Sequence, residues 1–455
     1  MDRRVSATRE AGGIAAEEGR LKVAILGAGV TGLMAGRLLR ERGYSVHLFE
    51  SESSVGGLCR SSVVDGFTFD WAGGHILYSK DREVNDLVTR IIGEKDLVQN
   101  ERHTKIFYRG SYVKYPFENG LGDLPKEDNF ACLKGYVEAF YARQNGAVAK
   151  PSNFRDWVLW RFGPGIAEKF MFPYNEKIWK VDLKELSIEW VDGRVPDAPV
   201  DDVIKASIGI STEGYIHQSY FRYPRRGGFG TLTDRLAAPI FDAIRLSTPV
   251  RQVRRLTSEW EVNGERFDRI VNTIPLQELF KRFEGAPRDA KAAADGLQFR
   301  GLVSILIGVD GPETSRHSWI YLPHPENGPA NRITHLANYS PENAPPGQHS
   351  LLAEVTYDGD LHVDQRYVDE VVDGIHRSGL VDKKKVVTTA FHKNRYAYIV
   401  FDHDFRKNLA ASTEFLDGIG LHTIGRFGRY EYLNSDQCMR RAIDLVEKHF
   451  PRVLT

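Results

Sequence analysis

Near the N-terminus, three glycines at fixed spacing have the chemistry needed to hold a dinucleotide. The G-x-G-x-x-G pattern occupies residues 27–32 and includes Gly27, Gly29, Val30, Thr31 and Gly32. The first glycine permits a tight turn, the second lets the backbone approach a pyrophosphate, and the third allows a helix to pack closely on a strand. Glu50 follows Gly32 by 18 residues, where an acidic side chain can accept hydrogen bonds from a ribose. The spacing therefore predicts a dinucleotide site.

The segments around these glycines have the patterns that such a site requires. Residues 23–26 form a short apolar run that is typical of a buried parallel strand. Residues 31–42 have the leucine spacing of a helix that ends at Gly43, and residues 45–49 form a second predicted strand before Glu50. We therefore predict a βαβ unit with the glycine turn at its first junction.

Further glycine-rich turns indicate that the dinucleotide is FAD rather than NAD. A second glycine pair follows Glu50 at the spacing used by flavoproteins of the glutathione reductase and amine oxidase type, where it lies against the cofactor. Segments at residues 250–253, 273–275 and 425–428 resemble the other flavin-contacting segments of that superfamily, in the expected order. Beyond the first motif, we expect FAD to be contacted by Gly56, Gly57, Leu58, Val250, Gly425 and Arg426.

Motifs along most of the chain resemble a narrower family of flavoenzymes. They occupy residues 69–79, 115–119, 173–179, 193–195, 221–228, 338–341 and 425–432. In sequence and in order, these segments are similar to those of the UDP-galactopyranose mutases, particularly the eukaryotic type. The resemblance extends from about residue 23 to residue 448.

The resemblance implies an isomerase that uses FAD as a nucleophile with no net redox change. In that family, N5 of reduced FAD attacks the anomeric carbon of a nucleotide sugar and displaces the nucleoside diphosphate. The sugar then recloses, which interconverts pyranose and furanose rings and gives galactofuranose in the type reaction. NAD(P)H or another reductant would supply the electrons. Guanidinium groups suit the negative charge that develops on a leaving diphosphate.

The resemblance also assigns roles to individual residues. Arg194 and Arg332 match the diphosphate-binding arginines, and His75 matches a histidine whose loop lies against the isoalloxazine. Tyr398 and Tyr432 match tyrosines whose hydroxyls reach the diphosphate. Tyr115 and Phe117 match aromatics that sandwich the base, although packing in the core is an equally good interpretation. Further matched substrate positions are Glu118, Asn175, Trp179, Gln218, Trp319, Tyr321 and Tyr339, and further flavin positions are Gly74 and Asp436.

Some positions depart from the pattern of that family. Glu118 replaces a glutamine near the base, and Gln218 replaces an asparagine near the sugar. An ionised carboxylate only accepts hydrogen bonds, whereas an amide both donates and accepts, so the partner base can differ. Ile399 stands where proline is common, and residues 436–438 replace Asp-His-Ser. The identities of the sugar and of the nucleobase are therefore left open.

Composition argues against several other classes of protein. The 455 residues include 61 basic and 61 acidic side chains, so a general nucleic-acid or membrane-surface binder is not indicated. No apolar run is long enough for a membrane helix and no signal-peptide core is present, so we expect a cytoplasmic protein. The 3 cysteines and 14 histidines follow no metal spacing, so we expect no metal. Whether the chain forms a homo-oligomer is left open.

The order of predicted elements indicates an α/β protein in three parts. We expect a Rossmann-like FAD-binding domain, a helical substrate domain and an antiparallel β-sheet domain, after a disordered leader over residues 1–20. The FAD-binding domain is assigned to residues 21–114, 225–300 and 415–455. The mainly helical domain is assigned to residues 115–224, and the sheet domain to residues 301–414.

Two other functions are compatible with a flavin site. An oxidase or desaturase of the protoporphyrinogen oxidase or amine oxidase type would share the cofactor domain, but it would need an apolar channel and has no use for paired arginines at a diphosphate. A flavin-binding sensor or inactive scaffold would not need the histidine loop together with both arginines and both tyrosines. The mutase hypothesis therefore accounts for more of these residues.

Overall fold

The computed structural model describes residues 20–191, 194–195, 198–212 and 219–453. The predicted leader lies outside these ranges except for Arg20. The α-helices are α1 (Val30–Glu41), α2 (Arg82–Ile92), α3 (Lys126–Gln144), α4 (Phe154–Ile166), α5 (Phe172–Trp179), α6 (Val200–Ser207), α7 (Gly230–Ala237), α8 (Leu276–Arg282), α9 (Arg288–Gly296), α10 (Gln365–Arg377), α11 (Phe405–Gly418) and α12 (Ser435–His449).

The strands form one parallel sheet, one large mixed sheet and three small sheets. They are β1 (Lys22–Leu26), β2 (Ser45–Phe49), β3 (Ser61–Val64), β4 (Phe67–Asp70), β5 (Leu97–Glu101), β6 (Thr104–Tyr108), β7 (Ser111–Lys114), β8 (Tyr220–Pro224), β9 (Ile244–Arg245), β10 (Val253–Arg255), β11 (Trp260–Val262), β12 (Glu265–Phe267), β13 (Arg269–Asn272), β14 (Phe299–Asp310), β15 (Trp319–Tyr321), β16 (Arg332–His335), β17 (Gln348–Tyr357), β18 (Val386–Ile399) and β19 (His422–Thr423).

The five-stranded sheet is parallel and has the order β19-β13-β1-β2-β9. Strand β1 lies at its centre, and residues 23–26 are fully buried, because side chains of α1 pack on one face of the sheet and side chains of β10–β12 pack on the other. Helix α1 follows the glycine turn and connects β1 to the parallel strand β2, as the sequence predicts. The α/β fold class is therefore confirmed, and the carboxyl end of β1 presents the glycine turn at the edge where such folds bind ligands.

The seven-stranded sheet has the order β18-β14-β17-β16-β15-β6-β7 and is antiparallel except between β15 and β6. The sequence assigns β6 and β7 to the FAD-binding part, whereas the structure pairs them with this sheet. The pairing joins residues more than 200 positions apart, which no local pattern reveals. The remaining division into domains stays a prediction.

Helices α3 to α6 form a layer with its own apolar core, which includes Trp157, Phe162 and Trp179. The same core takes in Ile106 and Val113 from β6 and β7, so the helical layer is anchored on the end of the seven-stranded sheet. Among the described residues, no helix combines the length and the apolar character that a membrane span requires.

Candidate active site

A large cavity of about 1110 Å³ lies where the parallel sheet, the seven-stranded sheet and the helical layer meet. Its walls include both the glycine turn after β1 and the two arginines expected to bind a diphosphate, Arg194 and Arg332. The other predicted site residues on its walls are Gly27, Gly29, Val30, Thr31, Glu50, Gly56, Gly57, Leu58, Gly74, His75, Tyr115, Phe117, Glu118, Asn175, Trp179, Trp319, Tyr321, Tyr398, Arg426 and Tyr432.

The dinucleotide end of the cavity is built by close backbone contacts. Gly27 has a φ of 96°, and a Cβ added at Gly32 would lie 2.1 Å from the carbonyl oxygen of Gly27. A Cβ added at Gly57 would lie 3.3 Å from the Cα of Gly29, so the two glycine turns are in direct contact. Only glycine permits this packing, which leaves the backbone of both turns open to a ligand.

The residues at this end fit the pyrophosphate and ribose of FAD. Helix α1 begins without a side-chain cap and has no acidic residue in its first turn, so its amide groups are available to an anion. The carboxylate of Glu50 accepts hydrogen bonds from the amide groups of Ala28 (2.8 Å) and Glu52 (3.0 Å). These bonds orient Glu50 at the cavity wall, where its remaining acceptor capacity can serve a ribose.

His75 lies deeper in the cavity wall, against the ring of Phe229 at a centroid distance of 5.1 Å. Burial, followed by the charges of Arg332 and Arg426, lowers the pKa of His75 to about 4. The imidazole is therefore neutral at pH 7. Its Nδ1 is buried without a hydrogen-bond partner among the described residues, which leaves a polar atom for a bound cofactor.

Arg332 is held by a buried carboxylate on the adjacent strand. Arg332 and Glu354 are directly opposite each other across β16 and β17. The Nε and Nη2 atoms of Arg332 lie 2.7 and 2.6 Å from Oε1 of Glu354, which is fully buried. Burial opposes the charge on Arg332, but Glu354 and nearby tyrosines outweigh it, and the pKa of the guanidinium is raised. The pair fixes a permanent cation on the cavity wall.

Arg194 reaches the same cavity from the segment after α5. Its Nη2 donates a hydrogen bond to the backbone carbonyl of Tyr432, and its Cζ lies 4.0 Å from the centroid of the Tyr432 ring. The Cζ of Arg426 lies 4.1 Å from the same centroid, and Arg426 also donates to the carbonyl groups of Ala397 and Leu433. Stacking on one aromatic ring therefore gathers two cations at this wall.

Tyrosine hydroxyls complete the polar lining of the cavity. Burial, followed by the charge of Glu354, raises the pKa of Tyr398, so its hydroxyl remains a donor at neutral pH. The rings of Tyr398 and Tyr432 lie 6.5 Å apart. Tyr321 precedes Arg332 in the same cross-strand row, which extends through Glu354. Side chains in one such row point to the same face, so the sheet itself orients them toward the cavity.

The helical layer contributes a hydrogen-bonded pair and an aromatic rim. The indole of Trp179 donates to Oδ1 of Asn175 at 3.0 Å, and the Asn175 amide donates to the carbonyl of Met171 at 2.7 Å. Phe117 is fully buried and stacks on Phe170 with centroids 5.1 Å apart. Phe117 thus packs in the core of the helical layer while also bordering the cavity.

Several predicted positions lie behind the cavity walls. Tyr339 is fully buried against Phe221 and Tyr223. Val250 packs in the core beside the parallel sheet, and Asp436 accepts a hydrogen bond from Ser79 at 2.6 Å. Gly32 and Gly425 support the first glycine turn, since a Cβ added at Gly425 would lie 3.0 Å from Oγ1 of Thr31. Gln218 lies outside the described residues.

Two residues of the site were missed on the sequence. The first is Glu354. It is the one carboxylate within the apolar run of β17, and such a residue in a buried strand indicates an ion pair. Arg102 is the other, and its Cζ lies 5.1 Å from the ring centroid of Tyr115 and 4.7 Å from that of Trp319. No sequence pattern distinguishes Arg102 from a surface arginine. Among the described residues, no group of side chains is arranged to hold a metal ion.

The chain is similar to flavoproteins of known structure. A crystal structure of reduced UDP-galactopyranose mutase matches with a TM-score of 0.86 and 29% identity, over 94% of this chain and 96% of that one. A putrescine oxidase variant matches with a TM-score of 0.66 and 16% identity, over 94% of this chain and 99% of the oxidase, which indicates a shared fold.

The sequence matches one desaturase over a short segment and one protein family over most of its length. A 4,4'-diapophytoene desaturase of Staphylococcus aureus (strain COL) is 46% identical over 50 residues, which span 11% of this chain and only 10% of the desaturase. Residues 30–414 match the family of flavin-containing amine oxidoreductases. This match covers most of the chain and agrees with the FAD predicted from the glycine turns. The protein is therefore a member of the flavin-containing amine oxidoreductase family, with FAD as its cofactor.

Proposed function

We propose that this protein is a nucleotide-sugar mutase that interconverts the pyranose and furanose forms of its substrate. The observation that carries the proposal is the pair of arginines, Arg194 and Arg332, on the walls of the cavity that also contains the FAD-type glycine turns. The similarity to UDP-galactopyranose mutase over 94% of the chain supports the same conclusion. FAD in its reduced form would supply a nucleophile for the anomeric carbon of the sugar.

The cationic residues suit the binding of a nucleoside diphosphate that acts as a leaving group. Arg332 offers a guanidinium that its ion pair with Glu354 holds in one orientation. Arg194 and Arg426 add charge beside Tyr432. A diphosphate gains negative charge as its bond to the sugar breaks, and prearranged cations stabilise that charge without reorganisation at the moment of reaction. We assign the diphosphate to this wall.

The neutral residues suit the sugar and the exclusion of water. The hydroxyl of Tyr398 stays protonated and can donate to a phosphate oxygen. Trp179 and Asn175 present a fixed, hydrogen-bonded surface to the sugar hydroxyls. The neutral imidazole of His75 adds no further charge beside the flavin. Together these groups hold the anomeric carbon beside the cofactor and limit the entry of water, which would otherwise compete as a nucleophile.

The proposal is tested with Arg332→Ala and a matched control. Purified protein is reduced with dithionite and incubated with a panel of UDP-, dTDP- and GDP-linked hexopyranoses, and products are separated by anion exchange. We expect turnover in the wild type only when FAD is reduced, and at least a hundredfold loss in Arg332→Ala with FAD still bound. Arg266→Ala is the control, because Arg266 is an exposed residue that forms an ion pair with Glu259 and does not line the cavity. Unchanged turnover in Arg332→Ala contradicts the proposal.

An oxidase or desaturase is the second candidate, and the short match to a desaturase together with the putrescine oxidase fold favours it. Such an enzyme passes electrons from its substrate to FAD and then to an acceptor. It therefore turns over with oxidised FAD and consumes oxygen or a second acceptor. Steady oxygen consumption with an amine or porphyrinogen, and no ring interconversion by the reduced protein, is the result that selects this function.

A further inference from the structure

Glu118 is a buried acid on the wall of the active-site cavity, next to Phe117 in the chain. Only 4% of the residue is exposed, and its Oε1 has no hydrogen-bond partner among the described residues. Burial raises the pKa of Glu118 to about 7, while its own amide group and the charge of Arg161 on α4 oppose that rise. Oε1 of Glu118 therefore lacks a donor that a buried carboxylate oxygen needs.

An unsatisfied carboxylate is costly to keep at this depth. A buried acceptor without a donor loses the hydrogen bonds that water would supply, and the cost is larger for a charged group. The neighbouring groups do not remove that cost: Asn119 donates to Oγ1 of Thr212, and Lys114 donates to the carbonyl of Thr212. The missing donors can come from a ligand in the cavity, since Glu118 borders it.

We infer that Glu118 selects the nucleobase of the substrate, and that this base is guanine. The inference rests on the proposed function, which requires a nucleoside diphosphate in this cavity. Guanine has two adjacent donors, N1–H and N2–H, that match the two oxygens of one carboxylate. The pair is a charge-assisted, two-pronged contact of the kind that gives both affinity and orientation.

The other bases fit a carboxylate less well. Uracil and thymine have one ring N–H between two carbonyl oxygens, so a carboxylate that accepts from it also meets an acceptor. Adenine and cytosine have an amino group beside a ring nitrogen acceptor, which again sets two acceptors against each other. Hypoxanthine has the N1–H of guanine but lacks its amino group. Inosine diphosphate therefore measures the second hydrogen bond alone.

The test is the binding of GDP, IDP and UDP to the oxidised, FAD-bound protein by calorimetry, with the wild type and Glu118→Gln. We expect the wild type to bind GDP roughly 10- to 100-fold more tightly than IDP or UDP, because each comparison removes a hydrogen bond to a charged group. In Glu118→Gln the preference for GDP over IDP should fall to within a few-fold. The amide has one oxygen acceptor and one NH2 donor, so it cannot accept from both N–H groups of guanine. Glu138→Gln is the control, since Glu138 is an exposed residue that forms an ion pair within α3.

The outcomes separate this inference from the function on which it rests. Tighter binding of UDP than of GDP by the wild type overturns the inference and leaves the mutase function standing. An unchanged preference for GDP over IDP in Glu118→Gln also overturns it. If FAD-bound wild type binds none of the three diphosphates, both the inference and the proposed function fail. If Glu118→Gln does not retain FAD, the order of the three wild-type affinities decides the inference.

Discussion

Replacement of Glu354 by glutamine removes the charge that holds Arg332 while it keeps nearly the same shape. Oε1 of Glu354 accepts a hydrogen bond from Nε of Arg332 and lies 2.6 Å from its Nη2, and Oε2 is buried without a partner among the described residues. Removing one charge of a buried ion pair costs about 3 to 5 kcal/mol. The side chain of Arg332 is 23% exposed to the cavity, where water can solvate it, so we expect a cost near the lower limit, about 3 kcal/mol of the free energy of unfolding.

The effect on catalysis should exceed the effect on diphosphate binding. Without the anion, the guanidinium retains its charge but loses its fixed orientation. A displacement of the order of 1 Å lowers turnover by on the order of a hundredfold. The ground-state affinity for a diphosphate, measured as Kd by calorimetry, should change less than tenfold, since the cation is still present. The assay is ring interconversion by the reduced protein, normalised to the content of FAD.

A matched control separates positioning from loss of stability. Glu313, in the connection between β14 and β15, lies with Oε2 2.8 Å from Nδ1 of His335 on β16, and neither residue lines the cavity. Glu313→Gln should therefore lower the thermal stability and leave kcat within a few-fold of the wild type. Wild-type kcat in Glu354→Gln at equal FAD content would refute the role given to this carboxylate. An equal loss of kcat in both variants would assign the effect to stability alone.

Three further predictions concern single residues. Glu118→Gln should raise the midpoint of thermal unfolding at pH 8 but not at pH 4. The pKa of Glu118 is raised to about 7, so above pH 7 the ionised side chain destabilises the wild type by about 3 kcal/mol. Calorimetry at the two pH values checks this. The NMR signals of His75 should not titrate between pH 6 and 8, because burial lowers its pKa to about 4. The same shift should lower the stability as pH falls from about 6.5 to 4, since the unfolded chain binds the proton first. A titration midpoint near pH 6.5 in the folded protein would disprove the burial. Gly32→Ala should abolish FAD binding, because its Cβ would lie 2.1 Å from the carbonyl oxygen of Gly27. Gly418→Ala should retain FAD, because no atom lies within 4 Å of its Cβ. The flavin absorbance of the two purified variants tests this prediction.

The local part of the site could be predicted from the sequence because its chemistry is local. The glycine turn, α1 and β2 follow one another within about thirty residues, and the predicted helix at 31–42 differs from the observed one, Val30–Glu41, by one residue at each end. Turn geometry and helix periodicity depend on neighbours in the chain.

The non-local part of the site could not be predicted from local patterns. The partner of Arg332 is 22 residues away on another strand and is brought opposite by the register of β16 and β17. The pairing of β6 with β15 likewise depends on the assembled sheet. Glu118 could be recognised as a departure in sequence, but its burial and its unpartnered oxygen follow from the packing of the helical layer. Tertiary packing, rather than local propensity, decides these features.

The register between β16 and β17 limits how this cavity can be redesigned. Ile333 and Ala353, which alternate with Arg332 and Glu354, pack in the apolar layer with α10 on the opposite face of the sheet. Insertion of one residue within either strand would turn that strand's member of the charged pair toward the apolar layer and bring aliphatic side chains to the cavity. The connection at residues 336–347 lies outside both strands, so a change of length there leaves their register intact. An engineer who wishes to alter specificity must therefore exchange side chains at fixed backbone positions.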